Sequence, residues 1–262
     1  MANLRITGSV YQWLCKEIIS DFNDGKTFYR YYETSLKKKT THRNIRVLKV
    51  PTIITLSEEH RLASTPLLVC FSGCHTRADV TFMIDSSDSV GQINFNRQLD
   101  FLKDVTNKLN VGQDQVHVSA LTFSSGVHNK FYLNDYARKS DVLHALSGIQ
   151  YFPGNTDTAD AIKFMSQQSF SPAHGARGDV PHIAVLLTDG PSTTKAITKL
   201  QAQTAKDNSA VIYTVGVGSG VDVDELTSVS SNPDLRYSMF ADNYDTLNSL
   251  SDMLATKICN GE

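Results

Sequence analysis

Residues 79–91 read DVTFMIDSSDSVG, and the fold of the chain can be worked out from them. Asp79–Asp85 is a short run too apolar to be half exposed, as expected of a strand covered on both faces. The run ends in a D-x-S-x-S loop, Asp85-Ser86-Ser87-Asp88-Ser89. From Gln92 to Asn110 the apolar residues Phe95, Leu99, Leu102, Val105 and Leu109 recur at spacings of three and four, which makes one face of a helix. Strand, polar loop and amphipathic helix in that order form the first half of a βαβ unit.

The same rhythm continues outward. Gln115–Phe123, His182–Thr188 and Ala210–Gly216 read as further central strands, and Tyr237–Phe240 as a short one. Val127–Leu133 follows its predecessor after only Ser124, Ser125 and Gly126, too few residues for a parallel crossover, so it is expected as an antiparallel strand at the sheet edge. Helices are expected over Ser140–Gly148, Thr158–Phe170, Thr193–Asp207, Asp222–Ser230 and Tyr244–Lys257. The fold class is therefore α/β: a doubly wound, Rossmann-like, mostly parallel sheet with one antiparallel edge strand and helices on both faces. Residues 1–77 lack this pattern and form a separate N-terminal segment of undefined structure, with a helix suggested at Tyr11–Phe22 and a β-branched run at Val47–Leu56 broken by Pro51. The regular domain is expected over residues 78–259.

With 262 residues, 40% hydrophobic and 20% charged, the chain has the composition of an ordinary globular protein. It contains no apolar run of the roughly 18 residues that a membrane span requires. Its formal charge of −2 conceals an asymmetry: residues 1–77 carry 12 Lys and Arg against 6 Asp and Glu, whereas residues 78–262 carry 13 against 21. An acidic domain is poorly suited to phosphate backbones, so no nucleic-acid partner is expected. The basic cluster Lys37-Lys38-Lys39 with Arg43, Arg46 and Lys49 reads as a solvated surface. The first 25 residues do not read as a signal peptide, because polar Thr7, Gly8, Ser9 and Gln12 interrupt any apolar core. Pro66–Gly73 (PLLVCFSG) resembles the tail of such a core and reads equally well as a buried strand or linker.

The chemistry converges on the carboxyl ends of the strands, where open α/β sheets place ligands. Beside Asp85, Ser87 and Ser89, two other loops project there: Gly154-Asn155-Thr156-Asp157-Thr158 and Thr188-Asp189-Gly190. Carboxylates and hydroxyls are hard oxygen donors suited to an octahedral divalent cation that keeps some water, which favours Mg²⁺ or Mn²⁺ over Zn²⁺. Calcium is less favoured, since few carboxylates are present to bind in bidentate fashion. Gly25-Lys26-Thr27 lacks the upstream glycine and strand of a phosphate loop, and Gly216-Val217-Gly218-Ser219-Gly220 has Val221 where a dinucleotide fingerprint needs glycine. The eight His residues show no zinc-protease spacing. No catalytic constellation is read, and the chain is not expected to be an enzyme.

With these three motifs in this order, residues 78–259 resemble a von Willebrand factor type A (VWA) domain of the matrilin and microfibrillar-collagen kind, with an intact metal-ion-dependent adhesion site (MIDAS). The resemblance implies that Ser87 and Ser89 ligate the metal directly, Thr156 directly once a partner is bound, and Asp85 and Asp189 largely through water. Asp88 stands between the serines where the family often has Gly, and adds negative charge beside the site. The resemblance further implies a secreted extracellular-matrix or cell-adhesion protein. Such a protein would capture an acidic residue of a matrix partner, such as collagen or a matrix glycoprotein, through the metal. The alternative is a structural matrix protein, collagen-associated, byssal or of a biomineral, that self-associates with metal only stabilising its fold. Surface loops at Gly190-Pro191-Ser192 and Ser171–Arg177 are expected to form the partner-selecting rim.

Four cysteines, Cys15, Cys70, Cys74 and Cys259, permit three full pairings. Cys74 and Cys259 flank the regular domain as cysteines do in matrilin-like and collagen-associated members, which implies a disulfide between them and an oxidising compartment. Two free thiols in an intracellular protein are the alternative reading. No N-x-[ST] sequon occurs in the sequence.

Overall fold

The computed structural model describes residues 76–260. The basic N-terminal cluster, the helix suggested at Tyr11–Phe22, the run at Val47–Leu56, Pro66–Gly73 and the cysteines at 15, 70 and 74 lie outside the described residues.

Six strands form one sheet: β1 (Ala78–Asp85), β2 (Val116–Phe123), β3 (Val127–Phe131), β4 (His182–Thr188), β5 (Ala210–Val217) and β6 (Ser238–Ala241). Their order across the sheet is β3-β2-β1-β4-β5-β6. All neighbours run parallel except β3 against β2. The antiparallel edge strand expected from the three-residue connection is therefore present, and the chain switches direction of travel across the sheet at β1 and β4, which places a crevice at the carboxyl ends of those strands.

The helices are α1 (Gly91–Lys108), α2 (Lys139–Ser147), α3 (Thr158–Phe164), α4 (Lys195–Asp207), α5 (Val223–Val229), α6 (Asp234–Tyr237) and α7 (Ser251–Asn260). Alternation along β1 explains the two layers: Val80, Phe82 and Ile84 pack with Phe95, Leu102 and Val105 of α1, Val142 and Leu146 of α2 and Leu254 and Ile258 of α7. Met83 points the other way, into a cluster with Ala161 and Ile162 of α3, Ala202 and Ala205 of α4 and Leu226 and Val229 of α5. Each fully buried large side chain in these clusters contributes roughly 1.5–3 kcal/mol.

Two expected helices differ in detail. Thr158–Phe170 continues past Phe164 as a π-helical turn, Met165–Ser169. Tyr244–Lys257 is not one helix: Asn243 accepts backbone N–H groups from Asp245 and Thr246 through its side chain, a 3₁₀ turn spans Leu247–Leu250, and α7 begins only at Ser251. An asparagine side chain that satisfies these amides competes with helix formation.

Candidate metal centre

β1 delivers Asp85 to the crevice, fully buried and level with Phe123 of β2. Gly91 adopts φ 68°, a left-handed conformation open to glycine, where the loop turns into α1. The loop is held from below by its own polar atoms. Asp85 Oδ1 accepts the Ser87 N–H at 2.8 Å, and Oδ2 accepts the Thr188 hydroxyl from β4. The Ser86 hydroxyl donates to the carbonyls of Phe123 (3.1 Å) and Phe152 (2.9 Å).

Ser87 and Ser89 hydroxyls lie 3.1 Å apart, and Ser89 Oγ donates to Asp189 Oδ1 at 2.7 Å. Asp85, Ser87, Ser89 and Asp189 are thus brought together in one hydrogen-bonded cluster. Thr156 is brought near by its backbone. Its carbonyl accepts the Thr193 N–H at 2.9 Å, and the neighbouring Gly154 carbonyl accepts the Asp88 N–H at 2.9 Å. No hydrogen bond joins the Thr156 hydroxyl to the other four residues. Gly154 is required where it stands, because a Cβ there would lie 2.5 Å from Ser125 Oγ and 2.9 Å from Ser125 N.

The electrostatics of Asp85 are unusual. Burial pushes its carboxyl up to about 6, against the hydrogen bonds from Ser87 and Thr188, and the Asp189 carboxylate adds to the rise. Among the described residues no Lys, Arg or His forms an ion pair with Asp85 or Asp189. Among the described residues, no group of three or more His, Cys, Asp or Glu is arranged so as to hold a metal ion. Two carboxylates with neutral hydroxyls and no internal cation are a donor set that fits a hard divalent ion and does not fit a thiolate or imidazole cage.

Several residues support the site without being ligands expected from sequence. Thr188, read only as the residue before Asp189, lies beside Asp85, because Leu187 pairs with Ile84. Tyr151, whose hydroxyl donates to the Ser87 carbonyl at 3.0 Å, comes from a loop with no readable pattern. Tyr244 accepts from Gln98 Nε2 at 3.1 Å, and burial, with the Asp189 carboxylate nearby, pushes its phenol well up.

The expected rim needs correction. Ser171–Arg177 lies at the other end of the sheet, because the Arg177 backbone N–H and Nε both donate to Asp79 at the start of β1, at 2.7 and 2.8 Å. Ser192 is turned inward, and its N–H and hydroxyl both reach the buried Glu225 carboxylate.

Residues 79–253 match the family model of the von Willebrand factor type A domain. The chain belongs to the von Willebrand factor type A family. Its VWA domain is 33% identical over 183 residues to the collagen alpha-6(VI) chain of Homo sapiens, covering 70% of this chain and 8% of that one. It is also 33% identical over 190 residues to matrilin-1 of Gallus gallus, covering 72% and 38%. Among solved structures, proximal thread matrix protein 1 from the mussel byssus, with a zinc-occupied MIDAS motif, aligns with a TM-score of 0.67 at 24% identity, over 71% of this chain and 49% of that one. The chain thus spans less than half the length of each of these relatives. Among the described residues, no helix is long and apolar enough to cross a membrane.

Proposed function

We propose that this VWA domain is a metal-dependent adhesion module of the extracellular matrix, with a binding and not a catalytic role. It holds one Mg²⁺ or Mn²⁺ and uses it to capture an acidic side chain of a matrix partner, such as a collagen or a matrix glycoprotein. The observation that carries this reading is the buried Asp85 carboxylate, which has only neutral donors around it and faces a cluster of hydroxyls.

Ser87, Ser89, Asp85 and Asp189 would hold the cation, with Thr156 joining when a partner carboxylate arrives. When bound, the cation supplies an electrophile that a partner carboxylate can ligate. Neutral hydroxyls keep that electrophilicity high, and buried Asp85 anchors the loop beneath them. Asp88, exposed beside the serines, adds negative charge that favours metal retention and opposes capture of an acidic side chain.

Secretion and a Cys74–Cys259 disulfide belong to the same proposal. Two observations support the bond: Cys259 is disulfide-bonded, and the Thr76 hydroxyl donates to the Cys259 carbonyl, which brings the chain two residues after Cys74 against the end of α7.

Calorimetric titration of Mg²⁺ and Mn²⁺ into the full chain tests the reading, with Asp85→Ala as control. One saturable site, lost in the variant, is expected, followed by binding to collagens or matrix glycoproteins that chelator abolishes. No binding to the folded wild type would overturn it. Concentration-dependent self-association that persists in Asp85→Ala would instead favour a structural matrix role.

A further inference from the structure

At the sheet edge, two strands from β1, β3 carries a β-bulge. Ala120 pairs with Phe131 and Leu121 with Asn129, so Lys130 has no partner residue across the ladder. Bulges of this kind re-aim a side chain at an edge. Here the Lys130 ammonium is turned over the ring of Phe152, with its nitrogen 5.0 Å from the centroid. The two residues form part of a groove of about 390 Å³ whose walls include Phe131, Tyr136, His144 and Ile149.

The charges in this groove are one-sided. Residues 78–262 carry 21 acidic against 13 basic side chains, yet no carboxylate lines it. Lys130 forms no ion pair among the described residues. The nearest acid on α2, Asp141, is engaged by Arg138 at 2.8 Å. Partial burial pushes the Lys130 ammonium down from its ordinary value, which marks a cation short of solvent. A half-desolvated ammonium beside aromatic and aliphatic walls is satisfied by an anion that brings its own apolar flank.

We propose that this groove is a second binding site, which takes a carboxylate side chain flanked by an apolar or aromatic residue from a partner protein. The site needs no metal. It nevertheless shares a loop with the metal centre: Gln150 and Phe152 line the groove, while Tyr151 holds the Ser87 carbonyl and Phe152 O accepts from Ser86. A partner presenting two acidic residues can engage both.

The test is an NMR titration of the ¹⁵N-labelled full chain in excess EDTA, which silences capture at the metal centre. The probes are acetyl-Leu-Asp-Phe-amide and its Asn counterpart. The expected result is saturable shifts at Lys130, Phe131, Gln150 and Phe152 with the Asp peptide, and binding about tenfold weaker for the Asn peptide or for Lys130→Gln. Lys130→Arg, which keeps the charge, should restore most of the affinity. The proposal is overturned by equal affinity for the two peptides, by an unchanged Lys130→Gln, or by the absence of saturable shifts in the groove. It is equally overturned if the same amides shift with protein concentration alone, which would mark a second copy as the occupant. Because metal is absent throughout, failure here leaves the adhesion reading untouched, and failure of the metal titration leaves this one untouched.

Discussion

Asp79 and Asp85 stand near the two ends of β1, an even number of residues apart and so on the same face of the sheet, and both are fully buried. Their surroundings differ in one respect. Asp79 receives a guanidinium: Arg177 approaches it to 2.7 Å and also donates to the carbonyls of Ala78 and Gln115, while His117 and His182 stand 3.9 and 3.7 Å away. Asp85, about 20 Å along the strand at 3.3 Å per residue, receives only the Ser87 N–H and the Thr188 hydroxyl. One end of the strand is closed by the protein's own cation, which pins the segment before β4. The other end has no such partner, and it is on this asymmetry that the proposed cation site rests.

The largest effect should come from the closed end. Arg177→Ala leaves Asp79 buried without its cation, and breaking such a pair typically costs about 3–5 kcal/mol. Urea denaturation of the full chain should show a loss of this order, with metal affinity little changed in the protein that remains folded. A loss below about 1 kcal/mol would mean that the two histidines or water replace the guanidinium, and the contrast between the strand ends would weaken.

At the open end the sign reverses. The folded Asp85 carboxyl is raised from 3.8 to about 6, so in EDTA the native state holds a proton that the unfolded chain has released. Stability should therefore be fully present below pH 4, fall as the pH rises from about 4 to about 6, and level off beyond, for a total loss of about 3 kcal/mol. Asp85→Asn should remove this slope and be at least as stable as the wild type at pH 7 in EDTA. Millimolar Mg²⁺ at pH 7 should restore stability to the wild type alone. A flat wild-type profile in EDTA would show that Asp85 is better solvated than its burial indicates.

How much of this was legible in sequence follows from the kind of signal each feature carries. The strands, the antiparallel edge and the helices on both faces follow from apolar periodicity and loop length, which are local, whereas the order of the strands across the sheet does not. Asp85, Ser87, Ser89 and Asp189 could be placed together because strand ends in a doubly wound sheet share one crevice. The partners of Asp79 were not legible: Arg177 lies 98 residues away in a segment without periodicity, and loop placement alone assigned that segment to the wrong end of the sheet. Tyr244–Lys257 has a helical spacing, yet Asn243 diverts its first turn. The Lys130 bulge depends on pairing with β2, which periodicity within β3 does not reveal.

The smallest effect should come from the loop that supports the metal centre from the side. The Tyr151 hydroxyl donates to the Ser87 carbonyl, while its ring packs on Phe95 with centroids 5.4 Å apart. Tyr151→Phe keeps the ring contact and deletes only the hydroxyl, so global stability should change by about 1 kcal/mol or less. If that hydrogen bond fixes the serine loop for its ligand, the same deletion should weaken Mg²⁺ or Mn²⁺ binding by up to about fivefold, roughly what one neutral hydrogen bond is worth. Unchanged metal affinity would mean that the Gly154 carbonyl on Asp88 and the Ser86 hydroxyl on Phe152 already hold the loop. In that case the open end of β1 is preorganised by backbone carbonyls, with Tyr151 serving the core.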